Sequence, residues 1–210
     1  ILFYINTTKE NLDMSNIQDN TKVKVDGHVL ITDVDSGTVL LDKHNDINYQ
    51  NIALAMANTL TTKSDTSGRP FAIKRMVFGN GGTSVDNDGN VVYNAVNVAG
   101  STDTLYNRSY HKVLDDTMME IIDTQGQAIS AIKITTVLDY AEPATQDVSD
   151  GAPTTNGEFT FDEMAITLES GESGSDATQD GMHISHIVFH PVQKTANRKI
   201  TVEYTITISA

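Results

Sequence analysis

The sequence predicts an antiparallel β-sandwich or partly closed barrel with one short α-helix near residues 49–60. Three observations carry this. Val23, Val25, Val29 and Ile31 alternate with polar residues, the period-two pattern of a half-buried strand. After Asn48, which can cap a helix, the period changes, and Ile52, Ala53, Met56, Ala57 and Leu60 fall on one helical face. Near the C-terminal end Ile200, Val202, Tyr204, Ile206 and Ile208 alternate with Thr201, Glu203, Thr205 and Thr207 almost without fault. About seven such strands joined by turn-rich loops, with a single helix, belong to a sandwich or barrel.

Taken in order, residues 1–5 (Ile1, Leu2, Phe3, Tyr4 and Ile5) are an apolar tip on a polar, non-periodic stem, so residues 1–21 read as an extended N-terminal arm. Two readings stand for it: a frayed terminus, or an arm whose tip packs on a neighbouring subunit. Five apolar residues with no basic residue before them predict neither a signal peptide nor an anchor. Residues 22–210 then form a single β-rich domain. Asp33, Asp35, Ser36 and Gly37 supply a hairpin turn, and residues 38–42 the returning strand. Strands follow at 71–78, at 106–114 and at 129–140, where Ile132, Ile134, Thr136 and Leu138 share a face. Further strands are expected at 159–168, with a bulge near Asp162, and at 182–190 and 200–208. Long loops fall at 84–104, 141–157 and 169–181, and an excursion as long as 84–104 inside a domain has a binding or contact role.

Composition narrows the function. The 210 residues carry 28 acidic and 14 basic side chains, a formal charge of -14, spread along the whole chain. Such a chain is repelled by nucleic-acid backbones and anionic membranes, so neither is an expected partner. There is no cysteine, hence no disulfide and no thiolate metal site. No apolar run approaches the roughly 20 residues that span a bilayer.

Each candidate for chemistry has a plainer alternative. The loop GNGG at 79–82 follows a strand, where phosphate-cradling loops begin, but no helix or lysine follows it; the alternative is a tight turn using positive φ at glycine. Asp86, Asp88 and Asn90 are weak cation candidates, yet the twelfth residue from Asp86 is Asn97 where a calcium loop needs glutamate. Asp33 fails the same test, with His44 at the twelfth place. His183, His186 and His190 resemble a metal set, but on one strand His186 and His190 share a face while His183 points away. Asp115 with Asp116, and Asp162 with Glu163, are adjacent, so on strands their side chains diverge. No glycine-flanked nucleophilic serine is present. The expectation is a protein that is not an enzyme and holds no cofactor.

Four segments, VDGHVLITDVDSGTVLLDKHN (25–45), FGNGGT (78–83), LDYAEP (138–143) and HIVFHPVQK (186–194), together resemble virion structural proteins of contractile-tailed bacteriophages, especially marine and related large-genome, myovirus-like lineages. The resemblance covers most of residues 22–208. It implies a non-enzymatic virion subunit of the tail, neck or collar, or baseplate, whose partners are copies of itself and other virion structural proteins. The alternatives are a capsid decoration protein and, in another class, a carbohydrate- or cation-binding β-module using the 84–104 and 169–181 loops. Expected subunit contacts are Ile1, Leu2, Phe3, Tyr4 and Ile5, added as a strand on a neighbour's edge, and a basic patch of Lys194, Arg198 and Lys199 facing acidic loops.

Overall fold

The structure, a computed structural model, describes residues 22–100, 104–140, 142–143, 159–171 and 181–210. The expected arm 1–21 and most of the loops at 141–157 and 169–181 lie outside the described residues. The rest is mainly β with one helix, and its antiparallel sheet curls strongly into a half-barrel. Of the two predicted architectures, this is the partly closed barrel.

The chain opens with the hairpin of β1 (Lys24–Asp33) and β2 (Val39–Ile47). In β1 the inward positions Val25, Gly27, Val29, Ile31 and Asp33 are buried in strict alternation. At the turn Gly37 takes a φ of 68°, the left-handed region that favours glycine. Helix α1 (Tyr49–Leu60) follows, then β3 (Ile73–Gly79), the small hairpin β4 (Thr83–Val85) and β5 (Val91–Tyr93), and β6 (Arg108–Val113). A 3-10 turn at Asp116–Met118 leads into β7 (Met119–Asp123) and β8 (Ile129–Leu138). The last strands are β9 (Phe159–Leu168), β10 (Met182–His183), β11 (Ser185–Lys194) and β12 (Ile200–Ser209).

The main sheet runs β6-β3-β9-β11-β2-β1-β12-β8-β7, with β10 also paired to β9. Its two halves meet where β11 passes from β2 to β9. Ser185 and His186 pair with β2, and Ile187, Val188 and Val192–Lys194 pair with β9. Beyond that point the Lys43 ammonium reaches across to the Val188 carbonyl at 2.8 Å. The core fills the concave side with Phe78, Phe161, Phe189, Met164, Ile134, Val202 and Tyr204, all essentially inaccessible. A second small cluster of Val77, Ala165 and Leu105 lies apart from it. Val77 and Ala165 alternate with core residues, so strands β3 and β9 are covered on both faces.

Helix α1 has the predicted bounds and cap, but a different buried face. The Asn48 side chain accepts from Asn51 N at 3.0 Å, its own N–H bonds the Ile184 carbonyl at 3.0 Å, and its amide reaches the Gly100 carbonyl at 2.7 Å. Asn51 and Ala55 are the buried residues, while Ile52 and Met56 are half-buried and Ala53, Ala57 and Leu60 are exposed. The reason is polar: Asn51 donates to the His183 carbonyl at 2.7 Å and fixes the helix's rotation. Replacing Asn48 with Ala should remove the cap and the Gly100 anchor together, costing about 2 kcal/mol. Urea unfolding checks this, with a lower midpoint and an unchanged slope expected.

Candidate functional site

Of the residues singled out by sequence, Asp162, Glu163 and His186 meet the GNGG loop in one place, midway along β9, where the excursion after β3 leaves and returns to the sheet. Strand β9 is almost wholly buried yet carries Asp162 and Glu163 in its middle. A charge buried that deeply needs partners, and the excursion supplies them. Glu163 Oε1 accepts from Gly81 N at 3.1 Å and Asn107 N at 2.8 Å. Its Oε2 accepts from Tyr106 N and His186 Nε2, both at 3.0 Å. Asp162 Oδ1 accepts from Gly82 N at 2.8 Å, and Oδ2 from Thr83 N at 2.9 Å and Thr83 Oγ1 at 2.5 Å. His186 Nδ1 accepts from Asn97 N at 2.7 Å. An N–H can only donate, so Nδ1 carries no proton, and the ring donates through Nε2 to Glu163 as a neutral imidazole.

Three side chains thus take backbone N–H groups from Gly81, Gly82, Thr83, Asn97, Tyr106 and Asn107. Burial pushes the Glu163 carboxyl up. The His186 hydrogen bond, followed by the N–H groups of Asn107, Tyr106 and Gly81, outweighs it, and the net position is below the ordinary 4.5. The four acceptor sites of the Glu163 carboxylate are filled from within the chain.

This settles how the GNGG loop works. Its N–H groups do form an anion cradle, as glycine-rich loops can, but the anions in it are the protein's own carboxylates. The glycines are there for close approach and not for positive φ, which corrects the expected tight turn. A Cβ on Gly79 would sit 2.5 Å from the Asn107 carbonyl oxygen, and one on Gly82 2.8 Å from that of Asp162. None of Gly79, Gly81 and Gly82 has the left-handed φ seen at Gly37 and Gly89.

The three histidines separate. His183 and His186 are buried, and His190 is exposed beside the Tyr93 hydroxyl at 3.3 Å. His186 and His190 share a face as expected: Ile187 and Phe189 turn into the core, while His186 meets Asn97 N and His190 the Tyr93 hydroxyl, both on the excursion. Strand β11 bulges just beyond. Val188 pairs with Glu163 and Val192 with Phe161, so residues 189–191 stand opposite Asp162 alone. The bulge expected near Asp162 exists, carried by the facing strand and containing Pro191, as bulges allow. Within β9 the alternation breaks at the same place, since Phe161 and Met164, three residues apart, both lie in the core, and Asp162 and Glu163 between them both reach the excursion instead of diverging.

Asp86, Asp88 and Asn90 form a self-contained turn in which Asp86 Oδ1 accepts from the N–H groups of Asp88 and Asn90 at 2.9 and 2.8 Å. The Asn90 amide donates to Asp86 Oδ2 at 3.1 Å. Among the described residues no three His, Asp or Glu side chains group as metal ligands. Asp115 caps the 3-10 turn, accepting from Thr117 N at 2.9 Å.

The expected basic patch is also corrected. Strand β11 continues through Pro191, so Lys194 lies within the sheet and is wholly buried, its ammonium donating to the Thr195 carbonyl at 2.9 Å. Burial pulls that ammonium below the ordinary lysine range, against the pull of Glu142 and Asp139. Arg198 Nε binds Asp33 Oδ2 at 2.7 Å, and Lys199 lies 3.6 Å from Asp139. The proposed contacts Ile1, Leu2, Phe3, Tyr4 and Ile5 lie outside the described residues.

The Arg198 bond and the Ser36 N–H hold the Asp33 carboxyl down at about 2, against an ordinary 3.8. A depressed carboxyl contributes stability in full above its ordinary value, and that contribution is lost as pH falls through the folded value. Asp33→Asn should therefore flatten the fall in thermal midpoint between about pH 4 and pH 2, leaving the rest of the acid limb to other carboxylates. An unchanged acid limb would dismiss the pair as a contributor.

No protein-family model, curated protein or solved structure matches this chain.

Proposed function

We propose that this chain is a non-enzymatic structural subunit of a tailed-bacteriophage virion, in the tail, neck or collar, or baseplate. The reading starts from the resemblance of the segments at 25–45, 78–83, 138–143 and 186–194. The observation that carries it further is the clamp of Asp162, Glu163 and His186. The buried groups most suited to chemistry are committed to six backbone N–H groups that hold a long surface excursion against the sheet. A subunit that binds neighbours through loops and edges needs such fixed excursions.

Two surfaces suit that role. Among the described residues strand β7 pairs with β8 alone, and it exposes Ile121 and Ile122 on its two faces, which favours strand addition by a partner at its outer edge. Hairpin β4–β5 exposes Val85, Val92 and Tyr93. Electron microscopy of intact particles, with copy number, tests the proposal. Density for the half-barrel around a tail, neck or baseplate axis is expected. Many copies spread over the head would instead mark a capsid decoration protein. A monomer that binds glycan tightly and never co-purifies with virions would overturn the virion reading.

A further inference from the structure

One side of the half-barrel is left open. Helix α1 lies over it, and between the helix and the sheet runs a groove of about 260 Å³ whose walls are almost entirely hydrocarbon. Ile52 and Met56 of α1 form one wall, facing Phe71, Ile132, Ile206 and Ile208. Strand β8, which supplies Ile132, is second from one edge of the sheet, and β3, which supplies Ile73, is second from the other. The groove is thus the mouth where the curled sheet fails to close on itself. The rotation of α1 that buries Asn51 and Ala55 leaves Ile52 and Met56 half-buried along this mouth, with Ile52 against the rim of the core. In a chain of charge -14, an apolar channel of this kind left to water is costly.

The same chain holds a matching surface. Residues 1–5, ILFYI, are the one run of large apolar side chains outside the described residues; the segments 101–103, 144–158 and 172–180 are polar or acidic with isolated small apolar residues. The described chain also begins beside the groove. Lys24 pairs with Ser209 and Val25 with Ile208, and Ile208 is a groove residue. Residues 6–23 are the tether, and at about 3.3 Å per residue they reach any point on a domain of this size. Tethering makes the encounter intramolecular, which favours it over the same segment arriving from solution. The size is suitable as well, since an apolar cavity of about 150 Å³ already accepts a benzene-sized group.

We infer that the apolar mouth between α1 and the sheet is the seat of the chain's own residues 1–5, with Phe3 and an aliphatic neighbour filling it. The segment supplies the side chains that a closed barrel would otherwise place there. This does not depend on the virion reading.

The absence of native cysteine allows a direct test in the full-length chain. Thr59 lines the groove on α1, and Val85 on the β4–β5 hairpin is exposed away from it. Two double variants are compared after mild oxidation: Phe3→Cys with Thr59→Cys, and Phe3→Cys with Val85→Cys. Disulfides need closely placed Cα atoms, so near-complete intramolecular bonding of the first pair and little of the second is expected on a non-reducing gel. Equal yields from both pairs, or no bond in the first, would overturn the seat. Disulfide-linked dimers from the first pair would overturn it in favour of a second copy's segment. A dye that fluoresces in apolar sites gives a readout without cysteines. Phe3→Asp should raise its fluorescence severalfold over the unaltered chain, and Ile132→Asp in the same background should abolish the rise. Bright fluorescence from the unaltered chain, unchanged by Phe3→Asp, would sink the proposal.

Discussion

Glu163→Ala is expected to lower the unfolding free energy by about 3–5 kcal/mol, the range for breaking a buried charge network from one side. The substitution leaves the N–H groups of Gly81, Tyr106 and Asn107 and the Nε2–H of His186 without their acceptor. A hydrogen bond to a charged group contributes about 1.5–3 kcal/mol, but the four do not add, because the excursion can loosen and admit water. Glu163→Gln keeps the shape and one carbonyl oxygen while turning an amide toward donors, so its cost should be intermediate. The pH dependence has a definite sign. The Glu163 carboxyl sits below its ordinary 4.5 in the folded chain, so its stabilisation is complete above that value and is lost as pH falls through the folded one. Glu163→Gln should remove that part of the acid limb. Hydrogen exchange supplies the local signature: protection at Gly81, Tyr106 and Asn107 should drop first, while amides of the β1–β12 ladder keep theirs. A Glu163→Ala protein with the parent's urea midpoint would show that the clamp carries no stability.

What sequence could and could not disclose follows from the range of each interaction. Helix α1 was legible to the residue because its signals are local: an asparagine cap, then a 3.6-residue period. Strands β1, β9 and β12 were legible for the same reason, as periodicity or a long apolar run. The buried face of α1 was not, because it is set by Asn51 bonding a carbonyl 132 residues away. Strand β7 was missed, since its five residues are mostly exposed and show no alternation. The clamp was illegible as geometry, because its backbone donors lie 56 to 89 residues from the side chains that accept them. A strict two-residue period sends Asp162 and Glu163 to opposite faces, but the period breaks between Phe161 and Met164, both in the core, opposite the bulge in β11. One signal was nonetheless available. Two adjacent carboxylates inside the otherwise apolar FTFDEMAITL must find partners if that strand is central, and GNGGT is the nearest preceding loop rich in close-approach glycines.

Phe161→Ala should cost a similar amount, about 3–5 kcal/mol, through a different cause. The Phe161 ring is 1% exposed and touches three others, with centroids 4.9 Å from Phe78, 5.9 Å from Phe159 and 6.4 Å from Tyr110. Removing it opens a cavity among side chains held by a twisted sheet, which collapses only partly to fill it. Phe161→Leu retains most of the volume and should cost less than about 1.5 kcal/mol. Urea unfolding at neutral pH checks both, and equal midpoints for the Ala and Leu variants would contradict the cavity argument. The informative comparison is the double variant Phe161→Ala with Glu163→Gln. Phe161 faces the core, two residues along β9 from a carboxylate holding the excursion, and it pairs with Val192 at the far side of the β11 bulge. A cavity behind the strand should let β9 shift and so relax the clamp already weakened by glutamine. The two losses should then sum to less than their separate values by about 0.5–3 kcal/mol. Strict additivity would mean that the excursion is held independently of the core; a shortfall would mean that core packing and the hold on the excursion are coupled, because one strand carries both.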